Sequence, residues 1–269
     1  MTITSPAAHS FAHLCEIAGH FDLPGKITAI QPFGDGHIND TYRIVQQVDG
    51  REQFYTLQRI NHYVFKRPEL VMENIERVTR HARRKILENG GDPSKRVLTL
   101  IPAETGRYYH VDGNDEYWRI YRFIEGANLY QVAPNRQVLY SAAKAFGDFQ
   151  MLVADLPGER LHEAIPDFHN TVKRFETFKE SVRQDLHGRA ASVQPEIEFI
   201  LSREKDAAIV VDGLASGRIP ERVTHNDTKV NNVLIDQSGE SLCVIDLDTV
   251  MPGSSLYDFG DMVRAGAAL

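Results

Sequence analysis

Asp227, Asn232 and Asp246 are the residues whose types and spacing best suit chemistry. Asp227 closes the triplet His225-Asn226-Asp227, Asn232 follows five residues later, and Asp246 ends the apolar run Leu242-Cys243-Val244-Ile245. That is the spacing of a phosphoryl-transfer site. Such a site needs one carboxylate to orient an attacking hydroxyl and accept its proton. It also needs an amide oxygen and a second carboxylate to hold magnesium against a triphosphate. Asp227, Asn232 and Asp246 fit these roles in that order.

The elements that position them read as a loop followed by a hairpin. Val233-Leu234-Ile235 and Leu242-Cys243-Val244-Ile245 are short apolar strands joined by the turn-rich Asp236-Gln237-Ser238-Gly239-Glu240. Asn232 and Asp246 then fall at the same end of the hairpin, with Asp227 in the loop leading into it. Taken singly, each would read as an ordinary turn or cap residue. Their conjunction on the correct sides of one hairpin favours chemistry.

The 269 residues suffice for one large domain or two lobes flanking a cleft. Hydrophobic residues at 42% and charged residues at 25% are those of a globular chain, and no apolar run approaches a membrane span. The N-terminus lacks the basic start and apolar core of a secretory signal, and Cys15 and Cys243 make no disulfide framework. A reducing cytoplasm is the expected home. A net charge of −7 argues against general affinity for nucleic acid. The oligomeric state is not legible.

Along the chain, a helix is expected around Ser10 to Gly19. Strands follow at Ile27 to Val48, interrupted by Gly34-Asp35-Gly36-His37-Ile38-Asn39-Asp40, and at Phe54 to Gln58 after an Asp49-Gly50 turn. Pro68 opens a helix carrying Leu70, Val71, Asn74, Ile75 and Val78. Further strands read at Val97 to Ile101, Tyr108 to Val111 and Tyr117 to Ile124. Beyond Gly126 the chain turns helical. Its three apolar stripes, starting at Ala142, Val172 and Ile197, are expected core faces. The expected fold is therefore α+β, with a boundary between residues 1–124 and 125–269 and Ile124-Glu125-Gly126 as a hinge.

These residues resemble the aminoglycoside phosphotransferase-like branch of the protein-kinase superfold. The resemblance runs through almost the whole chain, from Gly34-Asp35-Gly36-His37-Ile38-Asn39-Asp40 through Phe146-Gly147-Asp148-Phe149-Gln150 to the hairpin motifs and Tyr257-Asp258-Phe259-Gly260-Asp261. It implies a two-lobed kinase-like fold, with an antiparallel β-rich nucleotide lobe and a mainly helical catalytic lobe. ATP and Mg²⁺ are the implied cofactors. Gly34, Asp35, Gly36, Arg59, Ile124 and Gly126 would lie on the nucleotide, and glycine-freed N–H groups could approach its phosphates. The wording around His225 and Asp246 is similar to branch members that phosphorylate the anomeric hydroxyl of N-acetylhexosamines. This implies a small-molecule sugar acceptor, touched by His37 and deprotonated by Asp227. His225 and Asp258 are implied to be structural, and Asp248 a neighbour or further ligand of the metal.

Two departures stand out. Gln58 occupies the strand position where the superfold usually has Lys, with Arg59 one residue later and facing the other way in a regular strand. Glu73 and Glu76 on the next helix are candidate partners for whichever cation serves. Members of the branch also continue past the Tyr257 segment into helices that contribute acceptor-binding side chains, so the resemblance implies a chain cut short at Leu269. A kinase for another small hydroxyl acceptor, or a nucleotide-binding pseudokinase, remains open.

Overall fold

The computed structural model describes residues 9–34 and 38–267. In chain order come α1 (Phe11–Gly19), β1 (Lys26–Pro32), β2 (Asp40–Val48), β3 (Arg51–Ile60), α2 (Pro68–Glu88), β4 (Leu100–Ile101), β5 (His110–Val111), β6 (Tyr117–Arg122) and β7 (Ala127–Asn128). Then follow α3 (Arg136–Val153), α4 (Thr171–Gln184), α5 (Gln194–Leu201), α6 (Ile209–Ala215), β8 (Arg222–Thr224), β9 (Val233–Asp236), β10 (Ser241–Val244), β11 (Met251–Gly253) and α7 (Ser255–Gly266).

The first half is a six-stranded antiparallel sheet, ordered β1-β2-β3-β6-β4 with β5 also on β6. Asp49 and Gly50 join β2 to β3 with φ values of 49° and 76°. Positive φ at both central positions matches the twist of a tight hairpin. Register then sorts the side chains. Asp40, Arg59 and Trp118 lie abreast on one face, while Thr41, Gln58 and Arg119 lie abreast on the other. The Asp40 face is covered by α1, whose Leu14, Ile17 and Ala18 pack with Tyr42, Ile44, Tyr55, Leu57 and Trp118. Ser10 caps this helix by accepting a hydrogen bond from the His13 amide.

The opposite face is closed by α2, which starts on Pro68 and buries Val71, Met72, Ile75 and Val78. Fully burying an aliphatic chain such as Ile75 contributes about 1.5–3 kcal/mol. The same core continues without a break into Ala142, Phe146 and Phe149 of α3 and Val233 and Ile235 of β9. β9 and β10 form the expected hairpin, and β7 joins them on the far edge of β9. Cys243 is buried in β10, and that burial pushes its thiol up to about 12.

Two expectations change. The strand read at 97–101 pairs only through Leu100 and Ile101, although Val97 and Leu98 are buried. The stripe on α3 is core, but α4 buries only Phe175 and α5 only Ile197, while Ile200, Leu201 and Ile209 are exposed. The stripe from Ile197 also spans two short helices, α5 and α6, rather than one. Periodicity identifies an apolar face; it does not supply an element to cover it.

Candidate active site

The hairpin brings the three principal residues together. Val233 pairs with Val244, and the Ile245 amide donates to the Asn232 carbonyl at 2.9 Å, so Asn232 and Asp246 flank the same end. Asn232 donates through Nδ2 to the Asp227 carbonyl (2.8 Å) and to Asp227 Oδ2 (3.0 Å). With both amide protons spent on Asp227, its Oδ1 has no hydrogen-bond partner among the described residues. Lys229 Nζ lies 3.0 Å from the same Asp227 oxygen. The sequence reading had missed Lys229, although its place two residues after Asp227 was the available signal.

The loop carrying Asp227 is held from below. His225 is fully buried; its Nε2 donates to the Ile245 carbonyl (2.9 Å), and its Nδ1 accepts from the Asp227 amide (3.3 Å). These two bonds fix one tautomer and leave no ring nitrogen for chemistry. Asp258, 2% exposed, accepts from the amides of His225 (3.0 Å) and Asn226 (2.7 Å) and from Gln150 Nε2 (2.9 Å). Asn226 takes a left-handed φ of 67°, and its Nδ2 donates to the Thr249 carbonyl at 2.9 Å. Asp258→Ala is expected to cost roughly 2–4 kcal/mol, because each stranded buried donor costs about 1–3 kcal/mol. A shift in the urea midpoint at constant m would measure it.

Asp246 sits in a left-handed turn at φ 59° and accepts no hydrogen bond from a described residue. The residue as a whole is exposed, yet packed elements crowd the carboxylate end. This partial desolvation, followed by the nearby Asp248 charge, pushes its pKa well above the ordinary carboxylate range; Asp227 adds to the effect, while His225 and Arg119 oppose it. Asp248 is 2% exposed, and its oxygens are taken by Arg119 and by Asn39 Nδ2 (2.6 Å). It is a neighbour of the recess rather than an open ligand.

The remaining expected residues are placed differently. Arg59 lies on the α1 face of the sheet, where Asp40 (2.6 Å) and Glu116 (2.9 Å) hold it away from Asp246. Glu73 pairs with His162 (2.9 Å) and Glu76 with Arg80, so neither meets the strand position at Gln58. Ile124 is buried and Gly126 adopts φ 78°, in the segment leading from β6 to β7. Gly34 has φ 81°, with no described residue within 4 Å of where a Cβ would sit. Asp35, Gly36 and His37 lie outside the described residues.

A free amide oxygen and a charge-starved carboxylate facing solvent suit a hard divalent cation that keeps waters and phosphates among its ligands. No group of three or more His, Cys, Asp or Glu side chains able to hold a metal occurs among the described residues. That donor set fits Mg²⁺ better than a transition metal in a protein cage.

The architecture is that of the kinase-like fold. An aminoglycoside phosphotransferase from Alicyclobacillus acidocaldarius matches with a TM-score of 0.59 at 16% identity, over 97% of this chain and 73% of its own. A choline kinase from Cryptosporidium parvum matches with a TM-score of 0.52 at 14% identity, over 88% of this chain and 61% of its own. A Plasmodium vivax ethanolamine kinase gives a TM-score of 0.50 at 15% identity, over 87% and 61%. At such identities the likeness is one of fold. Residues 29–268 match the phosphotransferase enzyme family known as APH, and the chain belongs to that family.

Proposed function

We propose that this chain transfers the γ-phosphoryl group of ATP to the anomeric hydroxyl of an N-acetylhexosamine, as an N-acetylhexosamine 1-kinase does. The observation that carries the phosphoryl-transfer part is the convergence of Asp227, Asn232 and Asp246 at one end of the β9–β10 hairpin. The acceptor part rests on the wording of the catalytic and glycine-loop segments. We place the junction of nucleotide and acceptor halves at Ile124 to Gly126, where the large sheet has ended at Arg122 and β7 joins the hairpin.

Asp227 is the base: it takes the proton from the acceptor hydroxyl as that oxygen attacks phosphorus. Asn232 holds the carboxylate in one rotamer through its Nδ2 bond, so little orientation is left to be paid at the transition state. Lys229 pairs with Asp227 in the resting state and can turn toward charge developing on the transferred group. Asn232 Oδ1 and Asp246 would hold Mg²⁺, which when bound neutralises charge on the nucleotide phosphates. Gly34, Asp35, Gly36, Ile124 and Gly126 would line the nucleotide, and His37 would reach the sugar. The free thiols of Cys15 and Cys243 suit a reducing cytoplasm. No helix among the described residues is long and apolar enough to cross a membrane.

An acceptor panel with coupled ADP detection tests this. N-acetylglucosamine or N-acetylgalactosamine should be turned over and yield the 1-phosphate, with choline, ethanolamine and an aminoglycoside left unchanged. A side chain built to bond the sugar rejects acceptors lacking the matching group. His37→Ala should therefore raise the KM for sugar more than that for ATP. A 6-phosphate product, or faster turnover of an amino alcohol, would sink the acceptor assignment while leaving the phosphoryl-transfer site intact.

A further inference from the structure

With Gln58 at the usual lysine position, the cation beside it is Arg119, abreast on β6 and on the same face of the sheet. Arg119 is not free to meet a nucleotide. Its side chain is 2% exposed, and its donors are all engaged. Nε (3.0 Å) and Nη2 (2.9 Å) donate to Gln58 Oε1, Nη1 donates to Asp248 Oδ1, and Nη2 reaches Asp248 Oδ2 at 3.0 Å. Nη1 also faces Met72 Sδ of α2 at 3.8 Å. Asp248 meanwhile accepts from Asn39, whose Oδ1 accepts from the Asn61 amide at 2.9 Å. One polar chain thus links β3, β6, the residue before β2 and the acidic loop after β10.

A buried ion pair of this kind is poor evidence for stability, since apolar replacements of similar volume often do as well. Its distinctive property is geometric, because a planar fork on a carboxylate fixes orientation as well as distance. We infer that Arg119 is a positioning residue: it clamps Asp248, and through Asp248 fixes the left-handed turn at Asp246 and the start of β2, so that sheet and acidic loop hold together without a strand lysine. Gln58 is the acceptor end of that clamp, not a vacant phosphate position. The inference rests on the proposed role of Asp246, but its first readout does not.

Amide hydrogen exchange of the nucleotide-free protein provides that readout. The neutral pair Arg119→Gln/Asp248→Asn should recover most of the thermal midpoint lost in Asp248→Asn alone. It should nevertheless exchange faster at residues 245–250, and its half-saturating Mg²⁺ should rise by about 10-fold, the lower end for loss of a group that orients a ligand. Wild-type exchange in that segment would overturn the clamp. Gln58→Lys gives the opposing test. If position 58 merely lacks a phosphate cation, the substitution raises kcat and lowers the KM for ATP. If the clamp is real, a second cation against the guanidinium lowers both the thermal midpoint and kcat and speeds exchange at 245–250. Should the double variant fail to fold, Gln58→Lys decides. Should the wild type phosphorylate no acceptor, the proposed function fails while exchange still reports on the clamp.

Discussion

Asp227→Asn should lower kcat by on the order of 10²- to 10⁴-fold, the usual range for a lost general base, with ATP affinity nearly unchanged. The carboxylate is paired to Asn232 and Lys229 within its own loop, and among the described residues no hydrogen bond or ion pair reaches it from the glycine-loop strands. Asn at this position keeps the shape and can still accept a hydrogen bond from Asn232, so folding should survive. Isothermal titration with a non-hydrolysable ATP analogue, set beside steady-state kinetics, separates the two effects. A parallel collapse of nucleotide affinity would mark Asp227 as a nucleotide or metal residue.

Asp246→Asn should abolish Mg²⁺-dependent turnover and at the same time raise the melting temperature of the ligand-free protein. The two effects share one cause. An acid whose pKa is higher in the folded than in the unfolded chain destabilises the fold at any pH above both values. Asp246 is such an acid, through desolvation and the neighbouring Asp248. Asn keeps the left-handed turn, which it tolerates at least as well as Asp, and removes the charge. The gain over wild type should be full at neutral pH and shrink as pH falls through the raised folded value toward the ordinary carboxylate range. Added Mg²⁺ should stabilise the wild type and leave the variant unmoved. Thermal melts across pH, with and without Mg²⁺, check this; a variant that melts lower than wild type at pH 7 would refute the argument.

Much of this site was legible because its parts are local. Asn232, the two strands and Asp246 lie within 15 residues of one another, so alternation and a turn were enough to place both side chains at one end. Asp258 could be placed beneath the loop only through resemblance, and its bonds to the His225 and Asn226 amides show why it belongs there. Arg119 was hidden. Nothing in Trp118-Arg119-Ile120 distinguishes a strand charge that points into the protein from one that points out, until the neighbouring strand's register is known. For Arg59 the sequence offered two readings, phosphate by its charge or the far face by strand parity, and its pairing with Asp40 and Glu116 follows parity. Helix α4 was legible as a helix and α5 and α6 only as a single stripe, and the burial of none of them was legible, because what covers a stripe is a long-range fact.

The unbroken core that runs from Ile60 and α2 through Phe146 and Phe149 of α3 to Val233 also bears on how the chain folds. Val71, Ile75 and Val78 find part of their cover beyond residue 124, so the sheet half cannot satisfy its own apolar surface. A cut at Ile124 to Gly126 would leave the core under α1 whole, because its residues all precede the cut, but would open the core under α2. The two halves proposed above therefore share one core on the α2 side, and a lesion that loosens α3 is expected to be felt as lost order in the sheet beneath α2.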